Sequence, residues 1–356
     1  MINLKSAGKR SWQYAFIQTV ILLLLLLTQI TCNTKTGNRQ IERSFYFWKS
    51  VFKLSGFEKQ TLDSLQVKTL YVKFFDVDWN EEKKQPLPVA KTRFEDSAYR
   101  HYKIIPTIFI TNACIQKIDS IQIPQLALNI QKLVDEIIFN NYIKDIPELQ
   151  FDCDWTASTK NKYFALLNNF HALKPNTTLS ATIRLHQVKY VAKTGIPPVN
   201  RGLLMCYNMG NLKDPATKNS IIETAELQKY ISGLVSYPLP LDVALPLFDW
   251  KVLYRNNVYK GLIQNLPNMV FNNSFSQKKE NRYVILKDTL LQGYNLQNGD
   301  IIRDEQSNYK EIISAAKAVN HQLKNTRLRV SLYHLDSVIL NKYTNHELES
   351  IFNSLH

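Results

Sequence analysis

Eight apolar runs that alternate with helical patterns are the feature that most constrains the fold of this chain. Most of these runs are nearly continuous, as strands are when a parallel sheet buries both of their faces. Between the runs, apolar residues recur at helical spacing, for example in the segment that begins at Pro124. The strand candidates are residues 44–52, 69–79, 101–111, 148–155, 178–187, 202–210, 241–250 and 329–337.

Eight strand and helix units in about 300 residues predict an α/β fold of the (β/α)8 or TIM-barrel class. The segment 251–328 is long for one unit, so we expect an insertion at about 260–305, before the last strand. A doubly wound open sheet is the alternative. It would need a glycine-rich first turn, which is absent from a chain that has only 10 glycines.

The first residues of the chain have the pattern of an export signal. Positive residues precede the apolar run at 20–27, and the whole apolar stretch suits a signal peptide better than a membrane span. Cys32 follows this stretch, which suggests a lipoprotein that is acylated there after cleavage. A plain signal peptide and an uncleaved anchor are the alternatives.

This interpretation divides the chain into a signal peptide at 1–31, a polar tether at 32–43 and a barrel domain at 44–356. It predicts an exported protein that is membrane-anchored by its N-terminal lipid, either in the periplasm or at the cell surface. The net charge is +14, but there is no phosphate loop and no recognised nucleic-acid motif, so we expect no nucleic-acid partner. No Cys/His cluster has metal-ligand spacing, and we expect neither a metal nor a cofactor.

The phrase Phe-Asp-x-Asp-Trp occurs twice, each time near the end of a predicted strand, where the active sites of such barrels lie. Residues two apart on a strand point the same way, so Asp152 and Asp154 share the barrel interior, as do Asp76 and Asp78. Close like charges raise the pKa of each carboxyl group, which can keep one protonated as a general acid. The structural alternative is that one member of each pair caps a loop or pairs with Arg184.

Polar and aromatic residues end several other predicted strands. Aromatic rings stack on sugar rings, while carboxylates and amides hold hydroxyl groups, so such a mouth favours carbohydrate recognition. Any single member could instead be structural. The predicted substrate-binding residues are Asp76, Asp78, Trp155, Arg184, His186, Gln187, Asn208, Asp249 and Trp250.

Two motifs resemble those of the family-18 chitinase superfamily. "LQFDCDWT" is similar to its fourth-strand motif Asp-x-x-Asp-x-Asp-x-Glu, and "MCYN" to its sixth-strand Met-x-Tyr-Asp/Asn. The resemblance implies three catalytic residues: Asp154 orients the substrate acetamido group, Asp152 is the inner aspartate, and Tyr207 supports a cyclised intermediate beside Asn208. Two features depart from the family. Thr156 replaces the glutamate that acts as the acid, and the third-strand Ser-x-Gly-Gly pattern is missing.

Two functions remain open at this stage. The first is a glycoside hydrolase-like enzyme that acts on oligosaccharide or polysaccharide at the cell envelope, with an acid such as Asp154, Asp76, Asp78 or Glu148. The second is a catalytically inactive barrel that binds carbohydrate or a protein partner. Thr156 favours the second function, and the surplus of mouth carboxylates favours the first. The chain also resembles exported barrel proteins of bacterial lipoprotein type, a likeness that implies no activity.

Overall fold

A closed barrel of eight parallel strands forms the body of the protein. The computed structural model describes residues 39–264 and 266–356. Each barrel strand pairs with two neighbours, and the first strand pairs with both the second and the last, which closes the sheet and confirms the predicted (β/α)8 fold. The barrel strands are β1 (Gln40–Phe47), β2 (Thr69–Asn80), β3 (Lys103–Ile110), β4 (Glu148–Asp152), β5 (Thr178–Arg184), β6 (Arg201–Met205), β7 (Leu241–Pro246) and β8 (Arg327–Tyr333).

Helices cover the outside of the barrel. The longest, Ile123–Asn140, has a proline in its first turn and buries Leu126, Ile130, Leu133 and Ile137 along one face. The other α-helices are Gly56–Ser64, Asn112–Lys117, Lys160–Leu173, Leu185–Lys189, Val191–Thr194, Thr224–Gln228, Tyr309–Asn320, Ser337–Leu340 and Asn345–Asn353. Short 3-10 helices are Ala98–His101, Ser120–Gln122, Ile231–Ser236 and Asn268–Val270. None of the helices in the part of the chain that the structure describes is long and apolar enough to cross a membrane.

The N-terminal predictions lie largely outside the described residues. This holds for the signal peptide at 1–31, for Cys32 and for most of the tether at 32–43. The end of the predicted tether is an exception, because β1 already begins at Gln40, where it pairs with Arg327 of β8. The polar residues at the start of β1 are therefore part of the barrel wall.

Several predicted strands end earlier in the structure, among them 178–187 and 241–250. The run 178–187 stays extended only to Arg184, and the helix Leu185–Lys189 follows directly. The run 241–250 is divided: β7 ends at Pro246, and a new strand that leaves the barrel begins at Asp249. Both differences move predicted site residues off the barrel strands.

The insertion before the last barrel strand is larger than the predicted range of about 260–305. It is a five-stranded antiparallel sheet with its own apolar cluster, which includes Ile263, Ile285 and Ile302. Its strands are Asp249–Arg255, Val258–Ile263, Ser276–Lys279, Arg282–Ile285 and Ile301–Gln306, with a separate hairpin at Thr289–Leu291 and Tyr294–Leu296. Outside the insertion, Gln85–Val89 extends β2 as a hairpin, and Val51–Phe52 pairs with Arg93–Phe94.

Strand β4 carries polar side chains into the barrel at every second position. Gln150 accepts a hydrogen bond from the Tyr46 hydroxyl at 2.5 Å, and Asp152 lies one step higher on the same face. The alternate residue Phe151 faces outward and packs edge-on against Phe170, with ring centroids 5.0 Å apart. The alternation predicted from the sequence is thus present in β4.

The lowest polar residue of β4, Glu148, belongs to a buried ion pair. Arg329 of β8 donates to Glu148 at 2.8 Å and to the Tyr71 hydroxyl at 2.7 Å. Both charged side chains are almost completely buried, at 3% and 4% exposure. Removing one partner from such a pair leaves the other charge without compensation in a dry interior.

We expect Arg329→Met to lower the free energy of unfolding by about 3–5 kcal/mol, because Glu148 is then buried unpaired. Adding Glu148→Gln should recover part of this loss. The measurement is urea unfolding followed by circular dichroism. Arg327→Met is the control, since Arg327 is exposed on the same strand and should change stability little. A loss below about 1 kcal/mol in the single variant would contradict the role given to the pair.

Candidate active site

The carboxyl ends of the barrel strands form one mouth that contains aspartates, an arginine and aromatic rings. Asp152 ends β4, Arg184 ends β5, and Tyr333 ends β8. Tyr207 follows β6 by two residues. Because all eight strands are parallel, these positions meet at the same end of the barrel, as predicted.

Asp152 is the deepest carboxyl group of the mouth. It is 7% exposed, and its Oδ1 accepts a hydrogen bond from the Thr182 hydroxyl at 2.6 Å. Burial, helped by the charge of Asp154, raises the pKa of Asp152 to about 7, although the Thr182 hydrogen bond and the Arg184 charge oppose the shift. Asp152 can therefore hold or release a proton near neutral pH.

Asp154 lies above Asp152 and is bound by Arg184. The guanidinium donates from Nε to Oδ1 and from Nη2 to Oδ2, the two-point geometry in which arginine binds carboxylates most firmly. The side chain of Asp154 is 42% exposed and that of Arg184 25%, so both border the open mouth. The pairing with Arg184 is the structural alternative that the sequence analysis left open, and it neutralises the charge of Asp154.

Thr156 occupies the place that the chitinase-like motif gives to the acid. Its hydroxyl lies 2.8 Å from that of Ser158, and its backbone N–H donates to the Thr159 hydroxyl at 2.9 Å. Thr156 is exposed and belongs to the turn before the helix Lys160–Leu173. A neutral hydroxyl in this place cannot protonate a glycosidic oxygen.

Tyr207 belongs to a wall of aromatic rings. It stacks on Tyr333 with centroids 5.4 Å apart and meets Phe248 edge-on at 5.8 Å. Burial raises the pKa of Tyr207 well above its usual value, so its hydroxyl stays protonated. A protonated hydroxyl between rings can donate to a sugar oxygen.

Four residues of this wall were missed by the sequence analysis. Tyr46 and Trp48 meet the Tyr333 ring at 5.6 and 5.8 Å, and Phe109 lies 6.5 Å from Trp48. Trp48 directly follows β1, while Phe109 and Tyr333 lie at or next to the ends of β3 and β8. Their position at strand ends was the signal that could have identified them.

Asp76 and Asp78 have structural partners at the rim of the mouth. Asp76 pairs with Lys73 at 3.1 Å, and burial raises its pKa against the opposing effect of that lysine. In the sheet register Asp76 is paired with Phe109 and Phe109 with Asp152, which puts the two carboxyl groups at the same level of the barrel. Asp78 accepts a hydrogen bond from the Thr111 hydroxyl at 2.7 Å, next to the start of a helix.

Trp155 and Gln187 lie in the core, so their predicted contact with substrate is wrong. Trp155 is 0% exposed, stacks on Tyr163 at 5.2 Å and donates to the Thr194 carbonyl at 3.0 Å. Gln187 donates to the Trp155 carbonyl at 2.9 Å. Trp155 is four positions after Phe151, and residues an even number of positions apart on an extended chain point to the same side. Trp155 therefore points outward toward the helices, as Phe151 does. The side chain of His186 reaches the surface. The part of its imidazole that is buried, together with the nearby charge of Arg184, lowers the pKa of His186.

The remaining predicted residues lie beside the mouth. Asn208 has a left-handed backbone, with φ of 54°, and its N–H donates to the Ile221 carbonyl at 2.8 Å. Asp249 pairs with Lys342, and Trp250 donates to Glu305 at 2.6 Å. Asp249 and Trp250 lie on the first strand of the insertion, and not at the end of a barrel strand as predicted.

No protein-family model and no curated protein matches the chain. Among solved structures, it is similar to the spore cortex-lytic enzyme SleL of Bacillus cereus, with a TM-score of 0.52 and 13% identity over 90% of this chain and 75% of that chain. SleL of Bacillus megaterium QM B1551 gives 0.52 and 11% over the same shares. The chain shares the barrel fold of these enzymes.

The same fold is found in the Group IV chitinase of Ostrinia furnacalis. That structure matches with a TM-score of 0.50 and 11% identity, over 89% of this chain and 97% of that chain. The resemblance drawn from the two short motifs thus holds for the fold.

Within residues 39–264 and 266–356, no group of three or more His, Cys, Asp or Glu side chains could hold a metal ion.

Asp152 should make stability depend on pH. Between about pH 4 and 7 the folded state keeps its proton while the unfolded state has lost it, so stability falls as pH rises through this window. Asp152→Asn stays neutral and keeps the oxygen that Thr182 contacts. We expect its stability relative to wild type to rise with pH, by up to ~4 kcal/mol above pH 7.

Thermal unfolding of both proteins at a series of pH values measures this difference. Asp63→Asn is the control, because Asp63 is exposed on a helix surface and should give no such trend. A stability difference between Asp152→Asn and wild type that stays constant from pH 4 to 8 would contradict the buried, protonated aspartate.

Proposed function

We propose that the protein is a glycoside hydrolase-like barrel that binds a glycan at the cell envelope without hydrolysing it. One observation carries the proposal: Arg184 neutralises Asp154 while Thr156 fills the place of the acid. Hydrolysis of a glycosidic bond needs a proton for the leaving oxygen, and a positioned acid contributes typically 10²–10⁴-fold in rate. Binding needs only rings and hydrogen-bonding groups, and the mouth retains both.

The aromatic wall supports glycan binding. Trp48, Phe109 and Tyr333 are only partly buried, so part of each ring remains free to contact a ligand. The guanidinium of Arg184 and the exposed edge of Asp154 lie nearby and provide donors and acceptors for hydroxyl and acetamido groups. We therefore expect an N-acetylated oligosaccharide as the ligand, in keeping with the chitinase-like motifs.

A hydrolase is the second candidate, and one observation favours it. The pKa of Asp152 is raised to about 7, which suits a general acid. Asp152 is, however, 7% exposed and lies below the Arg184–Asp154 pair. A substrate would have to reach past that pair to receive the proton.

We expect the wild type to bind the hexasaccharide of β-1,4-linked N-acetylglucosamine and to release no products. Thr156→Glu should introduce slow hydrolysis, because it returns a carboxyl group to the acid position of the mouth. Ser158→Glu is the matched control, since it adds the same group to the same turn but outside that position. Product release followed by chromatography, with binding measured by calorimetry, tests the proposal.

Efficient hydrolysis by the wild type would favour the second candidate. In that case Asp152→Asn should lower turnover by about 10²–10⁴-fold. A wild type that neither binds nor cleaves any member of a broad oligosaccharide panel would overturn both candidates.

We also propose that the protein is exported and anchored by lipid on Cys32. The proposal rests on the positive residues, the short apolar stretch and the cysteine that follows it. Intact-mass analysis of protein extracted from membranes should show loss of residues 1–31 and the added mass of a lipid. A full-length, unmodified N-terminus would contradict this.

A further inference from the structure

A cavity of about 370 Å³ lies at the base of the insertion, beside the mouth. It is bordered where the chain enters the insertion, at Phe248 and Asp249, and where it returns, at Gln306. The third side comes from the C-terminal segment, with Lys342 and Tyr343. The sequence analysis predicted a substrate contact for Asp249, and this cavity is where the structure puts that residue.

The walls of the cavity are fixed by hydrogen bonds within the protein. Asp249 and Gln306 are opposite each other on paired strands. Just before them, the Phe248 carbonyl accepts hydrogen bonds from the backbone N–H of Ser307 at 3.1 Å and from its hydroxyl at 2.8 Å. The Tyr343 hydroxyl donates to the Ser307 carbonyl, which ties the C-terminal segment to the same point. A ligand would therefore meet a preformed site, which lowers the entropic cost of binding.

The groups in the cavity suit a hydroxyl-rich ring. Asp249 and Lys342 form an ion pair whose side chains are 20% and 48% exposed, so each retains hydrogen-bonding capacity toward solvent. Gln306 is exposed and adds an amide. Tyr309 and Tyr343 are partly buried and offer ring surface. Acceptor, donor and ring surface together are what a sugar unit needs.

Phe248 connects this cavity to the mouth. Its side chain lines the cavity, and its ring lies 5.8 Å from that of Tyr207 and 5.7 Å from that of Tyr333. On the same side, the Trp250 ring lies 5.2 Å from Phe248. Phe248 therefore contacts both the cavity and the aromatic wall of the mouth.

We propose that the cavity binds one sugar unit of a glycan whose other units occupy the mouth. A volume near the lower end of the roughly 300–1,000 Å³ typical of small-molecule sites supports a single unit. The inference rests on the proposed glycan binding and adds that the protein distinguishes glycans by their length. Asp249, Gln306 and Lys342 hold the hydroxyl groups of the terminal unit.

The test compares the disaccharide and the hexasaccharide of β-1,4-linked N-acetylglucosamine by calorimetry on the full-length protein. Wild type should bind the hexasaccharide more tightly, because only the longer glycan reaches the cavity. Asp249→Asn combined with Gln306→Ala should reduce the ratio of the two affinities by about tenfold or more, since the hydrogen bonds of the charged carboxylate are weakened and those of the Gln306 amide are lost. Circular dichroism establishes that the double variant is folded.

The matched control is Asp135→Asn with Gln131→Ala, which changes the same residue types on the outer helix Ile123–Asn140. This control should keep the wild-type ratio. An unchanged ratio in the cavity variant, with both glycans still bound, overturns the inference and leaves the proposed function intact. A wild type that binds neither glycan overturns both.

Discussion

The dry interior of the closed barrel is the constraint on which the site depends. Water cannot reach a polar group there, so each one needs a partner within the protein. Strand β4 gives each of its three inward side chains at least one partner, with Glu148 on Arg329, Gln150 on Tyr46 and Asp152 on Thr182. Asp152 is the uppermost of these residues. Burial, helped by the charge of Asp154, raises the pKa of Asp152 to about 7, so its proton is retained to about that pH.

The Arg184–Asp154 ion pair reduces the negative charge of the mouth and the number of carboxylate oxygens available to a substrate. A carboxylate that orients a substrate needs oxygen atoms that are free to bind it. Both oxygens of Asp154 already accept hydrogen bonds from Arg184. With Asp152 protonated, the mouth carries less negative charge than four aspartates suggest. The aromatic rings then dominate its surface. Such a mouth favours binding a sugar ring over hydrolysing a glycosidic bond.

Continuous apolar runs were sufficient to predict the barrel strands, because a parallel sheet buries both faces of each strand. The period of two, which the backbone alone sets, was sufficient to predict the inward side of Asp152. The same rule, extended to Trp155, turns that side chain outward with Phe151, and the structure has it stacked on Tyr163 in the core. The aromatic wall could not be predicted in full, because Tyr46, Trp48 and Tyr333 meet only when β1 closes on β8. Contacts that form only when the first and last strands pair cannot be read from the residue pattern of either strand alone.

The insertion is coupled to the mouth by a buried acid. Glu305 accepts hydrogen bonds from Trp250 at 2.6 Å and from Ser220 at 2.5 Å, and it pairs with Arg303, which is completely buried. Ser220 belongs to the loop after β6, the strand that also leads to Tyr207. One carboxylate therefore joins the insertion to the barrel loop that contains Tyr207. Arg303 adds a second link, because its guanidinium donates to the carbonyl of Asp214 in the same loop at 2.8 Å. These buried hydrogen bonds hold the base of the insertion against the loop after β6, because each polar group would lose its partner if the two separated.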